Sequence, residues 1–428
     1  VIVGRWAMLA LGSVCLSSPA AAAQVASRGP STSVLPPPPR ISIITMGPGG
    51  PVWERFGHNM IRVTDSVAGT DIAYNFGIFD FHQKNFFWNF LQGRPMYALQ
   101  GWDAAGAIAS YVRNGRAVEE QRLALSPAQA RALALNLARN AEPDEMYYRY
   151  DYYRDNCSTR VRDALNLVLA GTIDADLSRV STTTTYRSRT AELMAYNPGW
   201  YFGLMVLLGP ATDRPLTAWD ESFIPGDFSH WLTTVRVVSA AGDSIPLVLS
   251  EASLPARKEP APYSPGMLFA LWLGLGVAVG LLLAGTGQRA GAGRGRGGFV
   301  LLGGLWSLLS GLAGLIMIYL WAFTDHVVAY RNENILQASI LGLALFVVMA
   351  RWARRGGPAP EAVRILSMTI AVLSVAGLAL QVLPVFSQVN GVALAFFVPA
   401  NLGMAFGAAR AAPPRPTTAP TEALPSRP

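Results

Sequence analysis

Cys157 is the single cysteine outside the apolar N-terminal stretch of this chain, and it stands where a helix is expected to begin. The aromatic run Tyr152-Tyr153-Arg154 ends at Asp155-Asn156, both good N-cap residues, and Val161, Leu165 and Val168 follow at helical spacing. A thiol in the first helical turn faces unpaired backbone N–H groups and the positive end of the dipole, which favour thiolate over thiol. Upstream, His58 lies in Gly57-His58-Asn59-Met60-Ile61-Arg62-Val63, whose alternation reads as a strand. A thiol and an imidazole brought together by the fold are the working pair of covalent acyl chemistry. A third group must then hold the imidazole in one tautomer. Asn75, in the next expected strand, is the first candidate, with Asp71 and Asp80 behind it; His82, in an aromatic loop, is a weaker base candidate than His58. The plain alternatives are that Cys157 is a buried small hydrophobe, His58 a satisfied polar neighbour and Asn75 a turn residue.

The elements that must position these residues mix strand and helix. Ile41 to Thr45, Asn59 to Val63 and Asp71 to Ile78 read as strands. Ser126-Pro127 opens a helix to about Asn140, and Met146 to Tyr153 alternates as a strand leading into the helix after Cys157. The expected fold is an α+β, papain-like layout. Papain-like enzymes carry cysteine first, so histidine first implies a circularly permuted version.

Residues 1–23 read as a secretory signal, with Arg5 before an apolar core, Ala21-Ala22-Ala23 as the cleavage site, and Cys15 discarded inside it. A Pro/Ser-rich linker (24–40) leads to an exported domain (41–254). A second linker (255–265) leads to an all-α transmembrane bundle (266–409) and a disordered cytoplasmic tail (410–428). Hydrophobic residues make up 51% of the chain and charged ones only 14%, with the apolar excess after Pro265. Five spans are expected: Met267 to Ala284, Phe299 to Phe323, Ile335 to Ala350, Ile365 to Phe386 and Val392 to Ala408. Most approach the ~20 residues that cross a hydrocarbon core. Ile335 to Ala350 is short and contains Gln337. Arginines cluster after the first, third and fifth spans, whereas the alternate loops hold only Arg331. That bias puts the exported domain in the periplasm and the C-terminus in the cytoplasm of a bacterial inner membrane. The net charge of +7 is largely these arginines, so it calls for no nucleic acid.

Phe56-Gly57-His58, Tyr74-Asn75-Phe76-Gly77-Ile78-Phe79-Asp80 and Asp155-Asn156-Cys157-Ser158-Thr159 resemble the Lnb-type N-terminal periplasmic domain family. Leu208-Gly209-Pro210 and the stretch Trp219 to Phe228 fit it too, and the likeness reaches loosely to Asp325-His326 and Asn332 to Asn334. The family is similar to permuted NlpC-type peptidases and lecithin:retinol acyltransferases, and it includes a lipoprotein N-acyltransferase. The resemblance implies that Cys157, His58 and Asn75 carry catalysis and that Asn156, Arg62, Asp80, His326, Asn332 and Asn334 contact substrate. The donor would be a membrane phospholipid and the acceptor the amine of a diacylated lipoprotein, with neither metal nor cofactor. Two rival readings remain: a cysteine peptidase or amidase acting on cell-wall peptide, for which one anchoring span would suffice, and a non-catalytic binding or assembly protein. The near absence of charge within the spans argues against a pump.

Overall fold

The computed structural model describes residues 36–79, 83–257 and 261–412. The expected signal, most of the first linker, nearly all of the tail, Asp80 and His82 lie outside the described residues. The alternating segments around His58 and Asn75 form neighbouring antiparallel strands: β1 (Arg40–Met46), β2 (His58–Asp65) and β3 (Thr70–Ile78). Helix α1 (Phe86–Leu91), β4 (Met96–Asp103), helix α2 (Ala104–Arg113), β5 (Val118–Leu123), helix α3 (Pro127–Asn140), β6 (Tyr147–Arg149) and helix α4 (Cys157–Val168) follow. The seven-stranded sheet runs Val248–Leu254, β5, β1, β2, β3, β4, β6.

Strand periodicity divides the apolar residues between two faces. Ile41, Ile43, Ile61, Val63, Tyr74 and Phe76 pack with α3 and α4. Ile44, Met46, Met60 and Ala73 point the other way, onto α2. Helix α3 starts in a reciprocal capping box between Ser126 and Gln129. The strand expected over Met146 to Tyr153 stops at Arg149. Asp151 ends it, because its carboxylate accepts from the N–H groups of Tyr153 and Arg154 and folds the chain into a turn.

Five helices are long and apolar enough to cross a membrane: Pro265–Gly291, Arg296–Phe323, Glu333–Arg355, Glu361–Leu380 and Gly391–Ala411. The third is regular only over Leu341–Arg355, after a 3-10 turn at Glu333–Leu336. The fourth stops at Leu380 rather than Phe386, as Pro384 disfavours helix in the residues before it. The first and fifth helices touch backbone to backbone: a Cβ at Gly403 would lie 2.1 Å from the Gly280 carbonyl oxygen. Small residues at such crossings let dispersion act over a long contact.

The described residues from Pro38 onward form one compact unit. The helix Pro198–Leu207 seats the domain on the bundle. Phe202 stacks on Trp272 of the first span at 3.9 Å between ring centroids. The last carbonyls of that helix have no helical partner of their own. Asn332 donates to the carbonyls of Val206 and Leu207, and Asn334 to Val206, at 2.9 Å each. Both asparagines are fully buried. This corrects their expected role: their amides hold the domain on its helices and do not reach substrate.

Candidate active site

Helix α4 begins where Asn156 dictates. Its Oδ1 accepts from the N–H groups of Ser158 and Thr159, and its Nδ2 donates to the carbonyls of Tyr152 and Phe223. All of its hydrogen-bonding capacity toward neighbours is spent inside the protein, so Asn156 shapes the site and does not contact substrate. The backbone N–H groups of Asn59, Ser158 and Cys157 face the sulfur. Ser158 ties the helix start to β2, accepting from Asn59 Nδ2 at 3.0 Å and donating to the Ser222 carbonyl.

His58 is the first residue of β2 and shares a sheet face with Asn75. Its Nε2 lies 2.5 Å from Asn75 Oδ1. The amide oxygen can only accept, so Nε2 carries the proton and Nδ1 is the basic nitrogen. On the α2 side, Tyr111 stacks on the imidazole with centroids 6.1 Å apart. The buried Arg116 lies over the Tyr111 ring at 4.8 Å.

Gly77 joins the two halves. It interrupts β3 in a bulge with φ of +91°, a conformation that side chains resist. The Cβ it lacks would sit 3.4 Å from Cys157 Cβ, 3.9 Å from His58 Cε1 and 4.0 Å from the Tyr148 hydroxyl. The residue at 77 thus occupies the gap across which thiol, imidazole and phenol converge. Tyr148 was not legible as a site residue. Its hydroxyl is buried without a hydrogen-bond partner among the described residues, a costly state unless something transient uses it. The available signal was the alternation Met146, Tyr148, Tyr150, which puts both tyrosines on one face just before Cys157. An isolated glycine in a strand pattern was the signal for Gly77.

Both reactive side chains are half-buried and keep an opening to solvent. Burial draws His58 down to about 4, with Arg116 adding to the effect and the Asn75 hydrogen bond opposing it. Burial likewise pushes Cys157 up to about 11, against the N–H groups that favour its anion. The expectation from the helix start alone was a thiolate. Desolvation outweighs the dipole, so the resting pair is neutral thiol and neutral imidazole.

Arg62 does not belong to this site. It pairs with Asp71 and Glu120, four residues along β2 from His58, or about 13 Å at strand rise. Asp71 is engaged there and is not the third catalytic group. His326, in the loop after the second span, stacks on Tyr152 at 6.2 Å and contacts the Phe90 carbonyl through Nε2. Across Tyr111, an open cleft of about 520 Å³ is lined by Glu54, Trp102, Asp103 and Asn114 among others.

Residues 34–191, which hold His58, Asn75, Tyr148 and Cys157, match the family model of the Lnb N-terminal periplasmic domain. This segment is similar to Lnb N-terminal periplasmic domains. No curated protein and no solved structure matches the chain. The protein is a multi-pass membrane protein with a periplasmic domain, whose α/β sheet precedes five apolar helices. The Lnb match ends within the helix Tyr186–Met194, so the segment that seats the domain on the bundle lies beyond it.

Proposed function

We propose that this protein is a thiol acyltransferase of the bacterial inner membrane, built on a permuted papain-like domain. It takes an acyl chain from phospholipid onto Cys157 and passes it to the N-terminal amine of a diacylated lipoprotein. The observation that carries the reading is the position of the thiol: Cys157 follows Tyr152 by five residues, and Tyr152 stacks on His326 at the end of a membrane span. A peptidase has no use for that junction, whereas a donor that stays in the bilayer requires it.

The geometry supports the following sequence. Asn75 holds the Nε2–H of His58, so Nδ1 takes the Cys157 proton as sulfur attacks the ester carbonyl. The oxyanion of the tetrahedral intermediate meets the Cys157 N–H and the Tyr148 hydroxyl, the donors without other work. Collapse breaks the C–O bond, and His58 gives its proton to the departing lysolipid alcohol. The amine then attacks the thioester, His58 takes a proton from it, and the sulfur leaves and is reprotonated. The cleft beyond Tyr111, with Glu54 and Asp103 in its lining, suits an approaching ammonium group.

The test is intact mass spectrometry of the full chain incubated with phospholipid, followed by addition of a diacylated lipoprotein. An acyl adduct on Cys157, lysophospholipid release and one new amide-linked chain are expected. Cleavage of cell-wall peptides with no lysophospholipid formed would refute the reading in favour of a peptidase.

A further inference from the structure

Resting on the acyl-transfer reading, we infer that Arg94 and Arg149 form the phosphate site for the lipid donor, at the membrane end of an aromatic wall leading to Cys157. Arg94 Nε and Arg149 Nη2 both donate to one oxygen, Asp325 Oδ2, at 2.7 and 2.8 Å, and Arg149 Nη2 also reaches the Gly93 carbonyl at 3.1 Å. Two guanidinium groups thus face a single carboxylate, which leaves a net positive charge. Both arginine side chains remain more than half exposed, at 58% and 54%. Their remaining N–H groups have no protein partner among the described residues. A forked guanidinium pair with donors to spare matches the oxygens of a phosphodiester.

The level of the site in the membrane follows from its neighbours. Asp325 lies two residues beyond the end of the second span at Phe323. Gln92 donates to the Tyr319 hydroxyl of that span at 2.7 Å, which sets the preceding helix α1 beside its last turn. Helix α1 exposes Trp88, Phe90 and Leu91 there. Aromatic side chains favour the boundary between headgroups and hydrocarbon, and arginines just outside it meet the phosphates.

From His326, the residue after Asp325, aromatic rings run toward the thiol: His326 stacks on Tyr152 at 6.2 Å, Tyr152 packs on Tyr150 at 5.9 Å, Tyr150 on Tyr97 at 4.2 Å, and Tyr97 on Phe79 at 5.5 Å. Tyr150 is near enough to Cys157 for the sulfur's charge to bear on its hydroxyl. A lipid held by its phosphate at Arg94 and Arg149 would lay its glycerol and ester along this wall. The occupant is therefore a membrane phospholipid and not a soluble anion.

The test separates binding from chemistry by using the full-length Cys157→Ala protein in detergent, so that no thioester forms. Calorimetric titration compares dihexanoylphosphatidylglycerol, dihexanoylglycerol and inorganic phosphate. The phospholipid is expected to bind at least tenfold tighter than either other probe, and Arg94→Gln/Arg149→Gln is expected to abolish that margin. Asp325→Asn breaks the same tie to the bundle but leaves both cations, so it should retain or increase the margin. If Asp325→Asn loses it as the double variant does, the arginines only hold the loop and the inference fails. Equal binding of dihexanoylglycerol, or of inorganic phosphate, overturns it as well. Binding with the expected margin but no acyl adduct on the wild-type protein would sink the acyltransferase reading alone.

Discussion

The resting state of the thiol decides how this site would work, and it can be measured by alkylation against pH. A thiol held at about 11 carries, at neutral pH, roughly one hundredth of the thiolate of an ordinary thiol near 9.0. Iodoacetamide should therefore modify Cys157 about a hundredfold more slowly at pH 7 than a free thiol, with a rate rising tenfold per pH unit toward 11. The imidazole, held near 4, stays neutral over that range and contributes no ion pair. His58→Ala should leave the alkylation profile nearly unchanged. Turnover does not share that dependence. It needs neutral His58 and protonated Cys157, both present between about 4 and 11, so kcat/KM should be flat across the physiological range. Intact mass spectrometry of the full chain, quenched at intervals from pH 5 to 10, reads the alkylation directly. A fast plateau extending below pH 6 that His58→Ala abolishes would mean a preformed thiolate–imidazolium pair. That result would refute the conclusion that desolvation outweighs the helix dipole here.

Further outcomes follow from named contacts. Cys157→Ala and His58→Ala should each abolish acyl-adduct formation, and the double variant should be no worse than either alone, as for members of one catalytic unit. Tyr148→Phe should slow turnover at least tenfold while thermal stability holds or rises, because the hydroxyl it removes is buried and unpartnered; lost stability with unchanged turnover would assign Tyr148 to packing. Asn332→Ala should lower the melting temperature through the orphaned carbonyl of Leu207, at a cost of about 1–3 kcal/mol, with KM unmoved, since Asn334 still donates to Val206. A C-terminal alkaline phosphatase fusion should be inactive, since an odd number of spans puts the tail opposite the periplasmic domain.

Much of this protein was legible from local pattern because the physics involved is local. A span is defined by its own length and apolarity, so hydropathy and arginine bias gave five of them without any tertiary information. A helix start is defined by its cap, and Asn156 marked the beginning of α4. Alternation placed the strands that carry His58 and Asn75, and these strands are neighbours in the sheet. Where a span ended at a proline turn, or a strand at the Asp151 turn, pattern alone ran too far.

What the sequence could not decide were quantities that depend on surroundings. Asn156, Asn332 and Asn334 looked like substrate contacts because polar residues near a motif invite that reading. Only the fold showed that their side-chain N–H groups donate to backbone carbonyls inside the protein. Arg62 looked equally available until its two carboxylate partners were in place. Tyr148 carried no motif, and it joins the site only because the bulge at Gly77 opens a gap that three side chains share. The protonation of Cys157 is the sharpest case. A helix N-terminus lowers a thiol's pKa by a field that sequence can anticipate, whereas burial raises it by removing water, and the amount of water removed is known only once the chain has folded.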